Sequence, residues 1–415
     1  MAVPKLRFKA DDGSDYLEWD DFTKLENISA FITKGATPTT YGFDWQPNGV
    51  YFFRNDCIKN NVFVYGDYSF IAEEANKFLQ RSEVTGGDIV IAITGDIGKV
   101  GLIPSEVKKA NINQHLARVR IVKDAFPYFV YMYLCSDKVQ RTYKKIKTGL
   151  SMPQLSLAQI RDTNIPVVSL PEQQKIAEFL STIDTVIEKQ KATVTAWEER
   201  KKGVMQKLFN QEVRFKADDG SEFPKWEEKM LIDISQRILV GLATTVTPYY
   251  RNSGKPMFRN LNIKQGYLDD GDMIFLDSNY ADSQKNKGIH FGDILTVHTG
   301  NIGWSCLVPE KYEGALSFTT LITTVRSNIV SNKYVCAFLN SPIGMSQMQN
   351  LAFSGGRANL NTSEFQKVQV PIPCLKEQQK IADCLSSLDE VIKKQKATLA
   401  AWEELKKGLL QQMFV

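Results

Sequence analysis

The sequence is written twice, and that duplication limits the possible folds more than any other feature. Arg7-Phe8-Lys9-Ala10-Asp11-Asp12-Gly13-Ser14 returns as Arg214-Phe215-Lys216-Ala217-Asp218-Asp219-Gly220-Ser221, and each copy is followed by a tryptophan, Trp19 or Trp226. Leu170 to Phe209 matches Leu375 to Phe414, with identity at about 27 of roughly 45 positions when Ile165 and Val370 start the comparison. A period of roughly 205 residues means two duplicated domains rather than the short repeats of a solenoid.

Between these blocks the halves keep a skeleton and lose their detail. Phe53-Arg54-Asn55 matches Phe258-Arg259-Asn260, Gly87-Asp88-Ile89 matches Gly292-Asp293-Ile294, and Thr94-Gly95-Asp96-Ile97-Gly98 matches Thr299-Gly300-Asn301-Ile302-Gly303. The segmentation that follows is a variable domain over 1–165, a shared segment over 166–210, a second variable domain over 211–370 and a second shared segment over 371–415.

The shared segments read as long helices. Apolar residues fall at Ile176, Leu180, Ile183, Ile187, Val194, Trp197, Val204 and Leu208, and again at Ile381, Leu385, Leu388, Ile392, Leu399, Trp402, Leu409 and Met413. The spacing alternates 4 and 3, with Gln190 and Lys201, or Gln395 and Lys406, in the gaps. Each helix, roughly 38 residues long, reaches about 57 Å. Either helix alone leaves its seam wet, so the economical solution packs the two together, antiparallel if a two-fold axis relates the halves. The ordinary alternative is a core helix within each half, but globular helices typically run about 8–20 residues.

The variable regions contain short β-branched and aromatic runs such as Val50-Tyr51-Phe52-Phe53 and Leu321-Ile322-Thr323-Thr324-Val325, with helical stretches near Tyr128 to Lys145 and Lys333 to Asn350. The predicted fold class is α+β: two pseudo-two-fold-related α+β domains separated by two long helices packed as an antiparallel coiled coil.

Composition excludes several function classes. In 415 residues, 51 Lys and Arg face 47 Asp and Glu, a net charge of +4 that makes any nucleic-acid face a local one. No apolar run approaches a membrane span, and the first residues carry no apolar signal core, so the expected location is the cytoplasm. The six cysteines form no CxxC pair and the three histidines no HxxxH, which argues against a disulfide scaffold and a zinc site.

Catalytic motifs are missing as well. Gly95-Asp96-Ile97-Gly98-Lys99 lacks the earlier glycine and the following Ser or Thr of a phosphate loop, since Ile93 and Val100 stand there. There is no Pro-Pro pair for an adenine-amino methyltransferase motif and no GxGxxG loop. His115, His290 and His298 have no counterparts in the other half, which favours core or surface histidines over a duplicated catalytic set.

What remains is DNA-reading chemistry: Arg and Lys for phosphates and guanine, Asn and Gln for adenine, and small polar side chains in glycine-rich loops. In the first half the candidates are Lys34, Thr37, Tyr41, Arg54, Asn55, Thr94, Asp96, Lys99, Asn113, Gln114, Lys147 and Gln154. In the second half they are Thr244, Thr245, Arg259, Asn260, Asn262, Thr299, Asn301, Thr319, Arg357 and Asn359. Each has an ordinary alternative as a solvated surface side chain. The Arg-Asn pair is the same in both halves, so it is poorly placed to make them read different bases.

Two variable domains alternating with two near-identical helices, the helix entries Pro166 to Ala177 and Pro371 to Ala382, the Gly-Asp-Ile and Thr-Gly-Xaa-Ile-Gly pattern in each half, and Asn113-Gln114 together resemble the specificity subunit of a type I restriction-modification system. One departure is Phe318-Thr319-Thr320 near where the first half has Asn113-Gln114. The resemblance implies a chain that is not itself an enzyme, in which each variable region is a target-recognition domain reading one half of a split, asymmetric double-stranded DNA site. The helices would dock two methyltransferase subunits, which bind S-adenosylmethionine and methylate adenine at N6, and motor-nuclease subunits would complete the restriction enzyme. This chain would hold no cofactor or metal. Glu172, Gln173, Ile176, Phe179, Glu377, Gln378 and Ile381, at the helix entries, are the candidate partner-binding residues. Readings of a different kind are a self-contained DNA-modifying enzyme with an unrecognised site and a coiled-coil adaptor without a DNA role.

Overall fold

The computed structural model describes residues 4–122, 124–149, 153–352 and 359–414. The chain divides into two compact units, Met1–Gln190 with Thr398–Val415, and Lys191–Ala397. The central helix, Leu170–Phe209, and the C-terminal helix, Leu375–Met413, are unbroken over 40 and 39 residues, so each begins in one unit and ends in the other. No described helix is long and apolar enough to cross a membrane.

Each unit holds a pair of helix segments. In the second unit Glu198 pairs with Lys396 at 2.6 Å and Lys201 with Asp389 at 2.5 Å, so numbers rise on one helix as they fall on the other. In the first unit Lys406 pairs with Asp184 at 2.5 Å, while Met413 shares a core with Ile176 and Leu180. The segments are therefore antiparallel, and the polar gaps of the heptads, Lys201 and Lys406, are places where a lysine crosses to an aspartate. The ends of the helices plug the domain cores. Phe414 lies 5.7 Å from both Phe129 and Tyr133 and 6.2 Å from Trp19. Phe209 takes the same place in the second unit, 5.7 Å from Tyr334 and 5.4 Å from Phe338.

The β cores follow one plan. In the first unit an antiparallel sheet orders Val100–Leu102, Ile89–Ala92, Leu116–Ile121 and Ser29–Lys34. In the second unit the order is Ser305–Leu307, Ile294–Val297, Thr320–Val325 and Ser235–Val240. A second sheet in each unit contains one parallel pair, Val50–Phe53 with Ala110–Ile112, or Lys255–Arg259 with Leu316–Phe318. One core lies between the two sheets of each unit. A larger one lies between the antiparallel sheet and the helices, Pro127–Cys135 and Asp137–Ile146 in the first unit and Asn332–Leu339 and Pro342–Ala352 in the second. A smaller third cluster packs on the second sheet around Phe52 and Ile71 or Met257 and Leu276.

The short repeat at the start of each half is a clamp on the helix entry. The Arg7 guanidinium reaches both oxygens of Glu172 at 3.1 Å, and the Trp19 indole N–H donates to the same carboxylate at 3.1 Å. Arg214 and Trp226 repeat this on Glu377 at 2.7–3.0 Å, and this hydrogen-bonded contact holds Arg214 more firmly protonated than usual. Both glutamates are buried, Glu377 completely. The tight Asp12-Gly13-Ser14 turn uses φ +84° at Gly13, which a side chain would resist.

Glu377→Ala removes the buried carboxylate that accepts from the part-buried Arg214 guanidinium and the Trp226 indole, and losing such hydrogen bonds to a charged group typically costs about 1.5–3 kcal/mol. Hydrogen exchange should then rise at the start of the C-terminal helix and across the second unit, with the first unit unchanged. Equal loosening of both units would show that the clamp is not local.

Candidate nucleic-acid interface

The sheet register assembles most of the sequence-predicted residues at one rim of each unit. In the first unit Lys34 pairs with Ala117 and Ala92 with Leu116, so the ends of Ser29–Lys34 and Ile89–Ala92 lie beside the start of Leu116–Ile121. The parallel pair ends at the same level, with Ile112 opposite Phe53. Lys34, Thr37, Asn55, Thr94, Asp96, Asn113 and Gln114 stand on the loops leaving these strands. Close approach holds the loops together. A Cβ on Gly35 would meet the Asn113 and Ile112 carbonyl oxygens at 2.1 and 2.2 Å, so only glycine fits.

Hydrogen bonds fix individual side chains. The Thr37 hydroxyl donates to Gln114 Oε1, whose amide nitrogen lies 3.2 Å from His115 Nε2. Asn113 is buried and accepts from the His115 N–H at 3.2 Å. Gln154 forms isolated bridges with both Thr94 and Thr148, which brings Lys147 to the rim. Lys99 is paired with Asp96 at 2.5 Å.

The second rim has the same frame and different contents. Thr320 pairs with Val297, Leu321 with Val240 and Phe318 with Arg259. Gly241 packs against the Ser317 carbonyl as Gly35 does against Asn113, with 2.2 Å left for a Cβ. Asn260 donates to Thr299 at 3.0 Å, the Thr319 N–H donates to the Leu242 carbonyl at 2.8 Å, and His298 Nδ1 lies 2.8 Å from Asn359 Oδ1. Thr244, Thr245 and Asn301 are exposed on the same loops. Arg259 Nε, Asn260 Oδ1 and His298 Nε2 are buried without a hydrogen-bond partner among the described residues. A buried polar group left unpaired costs about 1–3 kcal/mol, so this rim holds unused bonding capacity.

Several candidates are turned to other uses. Arg54 donates to the Asp67 carbonyl and the Ser69 hydroxyl, both at 2.8 Å, and stacks over Trp45 at 5.1 Å. Arg259 holds Asp272 in the equivalent way, and buried Asn262 caps its own loop by accepting from the Arg259 N–H at 2.8 Å. Tyr41 packs on Phe78 at 5.4 Å. Arg357 lies outside the described residues.

The candidate partner-binding residues are mostly turned inward. Glu172, Gln173, Ile176, Glu377, Gln378 and Ile381 are all buried. Gln173 accepts from the Phe126 N–H and donates to the Val168 carbonyl, and Gln378 does the same with Ser331 and Pro373. These side chains join helix to domain within the chain. Phe179 is exposed, edge-on to Phe8 at 5.4 Å.

Sequence reasoning passed over His115 and His298 because neither has a counterpart. A polar rim residue without a counterpart in the other half is the signal that marks them. The described residues contain no group of three His, Cys, Asp or Glu that could hold a metal. Burial pushes the Cys57, Cys135 and Cys336 thiols up to about 12, which removes them as thiolate nucleophiles at neutral pH.

Similar proteins share this organisation. The chain is 23% identical over 372 residues to the type I restriction enzyme MjaVIII specificity subunit of Methanocaldococcus jannaschii, covering 83% of this chain and 84% of that one. It is 24% identical over 387 residues to the EcoKI specificity subunit of Escherichia coli K12, covering 87% and 81%. In fold it resembles the S subunit of a type I restriction-modification system from M. genitalium, with TM-score 0.53, 15% identity, and coverage of 100% of this chain and 99% of that one. A second solved chain, from a type I restriction-modification system, gives TM-score 0.54 at 17% identity over 95% and 97%. The family model for the type I restriction modification DNA specificity domain matches residues 17–196 and again 225–401, once over each rim and its helix, and the chain belongs to that family.

Proposed function

We propose that this chain is the non-catalytic specificity subunit of a cytoplasmic type I restriction-modification complex, and that each rim reads one half of a bipartite, asymmetric double-stranded DNA site. The observation that carries this reading is the pair of equivalent rims, built on one backbone frame but displaying different polar side chains. Gln114 and His115 occupy one, and His298 and Asn359 the other. Donors and acceptors held on a rigid frame suit base edges in the major groove, where each base pair shows a distinct pattern. Two near-identical helices, Leu170–Phe209 and Leu375–Met413, offer two copies of a partner nearly the same surface, with exposed Phe179 on the first where Cys384 stands on the second. The partners are two methyltransferase subunits, which bind S-adenosylmethionine and methylate adenine N6, joined by restriction subunits that bring motor and nuclease activity.

Exchange of residues 21–160 for those of a relative tests this reading. Methylation mapping of host DNA should show one half of the modified site replaced and the other half kept. Simultaneous change of both halves would contradict one reading head per unit. Co-purification with the methyltransferase should give two copies of it per chain, and saturation at one copy would rule out equivalent docking surfaces.

A further inference from the structure

We propose that the helix Asp137–Ile146 of the first unit is a DNA-phosphate-binding surface whose equivalent helix in the second unit carries no charge, so that it adds a salt-dependent contribution on the side of the first half-site. This rests on the rims being DNA-reading surfaces. The helix is anchored by Val139 and Tyr143, which are buried, and its outer face carries Lys138, Arg141, Lys144 and Lys145, with Lys147 following. The helix has one carboxylate, Asp137, which accepts from Gln411 at 2.9 Å and lies 3.6 Å from Arg141. Lys144, Lys145 and Lys147 form no ion pair among the described residues.

The helix is attached to the rim. Gln140 donates to the Gly98 carbonyl at 2.8 Å, and a Cβ on Gly98 would meet the Tyr143 ring at 3.1 Å, so the helix packs directly on the Thr94–Lys99 turn. Past its end, Thr148 bridges to Gln154, which also bridges to Thr94. The cations therefore begin beside Gln411 of the C-terminal helix and end at Lys147, next to the strand bridge that joins Gln154 to Thr94.

The second unit shows that folding does not require these charges. Pro342–Ala352 occupies the same place, with Met348 against Gly303 where Tyr143 meets Gly98, yet it has no charged residue. Gln349 and Asn350 stand where Lys144 and Lys145 do. Lys144 and Lys145 lie in the last turn, where the helix dipole favours cations. Gln349 and Asn350 nevertheless show that this position folds without them, and lysines with no acidic partner among the described residues leave charge for an anionic ligand. Phosphates of the duplex whose bases face the adjoining rim are the anions that this position reaches, and such contacts position a protein without specifying sequence.

The test uses the complex assembled with its methyltransferase partners and measures affinity against salt for a cognate and an unrelated duplex. Lys144→Gln, Lys145→Gln and Lys147→Gln together should flatten the log K against log[salt] slope by about 2–3, at roughly 0.9 for each phosphate no longer neutralised. Both duplexes should weaken by the same factor, and the methylated sequence should stay the same. Gln349→Lys with Asn350→Lys should steepen the slope by about 2. An unchanged slope in the triple variant overturns the proposal, as does loss of partner assembly with the slope intact, which would assign the surface to an acidic protein. A wild-type complex that does not distinguish the two duplexes would instead overturn the reading of the rims.

Discussion

Removing residues 406–415 should unfold the first unit and leave the second folded. The deletion takes away Lys406, whose ammonium pairs with Asp184, and the buried side chains of Met413 and Phe414. It also removes the Gln412 carbonyl that accepts from the N–H groups of Lys5 and Leu6. Phe414 alone touches Trp19, Phe129 and Tyr133, and truncating a buried phenylalanine costs about 3–5 kcal/mol. Total domain stability is about 5–15 kcal/mol, so losing two such anchors and an ion pair exceeds what one unit can spare. The second unit contains nothing beyond Ala397 and keeps its own plug, Phe209. Limited proteolysis should degrade residues before 190 and spare those between 191 and 397. A protected first unit would mean that the C-terminal segment only decorates it.

The parts of this architecture that were legible in the sequence are those governed by periodicity. Ile176, Leu180, Ile183, Ile187, Val194 and Leu208 are buried, as the seam spacing predicts, because one apolar face of a helix is decided by local spacing. The polar positions were less legible. Glu172 and Gln173 look like a surface motif because charged and amide side chains are normally exposed, yet their partners are Arg7, Trp19 and Phe126, far away in sequence. A tertiary hydrogen bond leaves no periodic trace. The same holds for Arg54 and Arg259, whose guanidinium groups are taken by their own loops. The rims themselves were foreshadowed by contrast between the halves: glycines and strand residues repeat because they build the frame, while Gln114, His115, His298 and Asn359 do not.

A chain ending at Gln211 should fold as a dimer. Alone, its first unit lacks the segment from Thr398 onward, and its own residues beyond Gln190 lack the second unit in which they are buried. The missing plug and the orphaned one are nearly the same sequence, since Val204, Met205, Leu208 and Phe209 stand where Leu409, Leu410, Met413 and Phe414 do. Lys201 matches Lys406 and can reach Asp184 of a second copy as Lys406 does within this chain. The receiving pockets match too, with Trp19, Phe129 and Tyr133 facing Phe414, and Tyr334 and Phe338 facing Phe209. Two half chains that exchange these ends bury both orphaned faces, and a two-fold pair of this kind closes on itself. Light scattering should give twice the chain mass. Leu208→Ala with Phe209→Ala should abolish the dimer and, with it, the protection of the first unit against proteolysis. With methyltransferase partners, the dimer should methylate a site in which the first half-sequence appears twice, inverted, because both heads are then the same. A folded monomer would show that the unit does not need a helix end from elsewhere, and an asymmetric methylated site would contradict one reading head per unit.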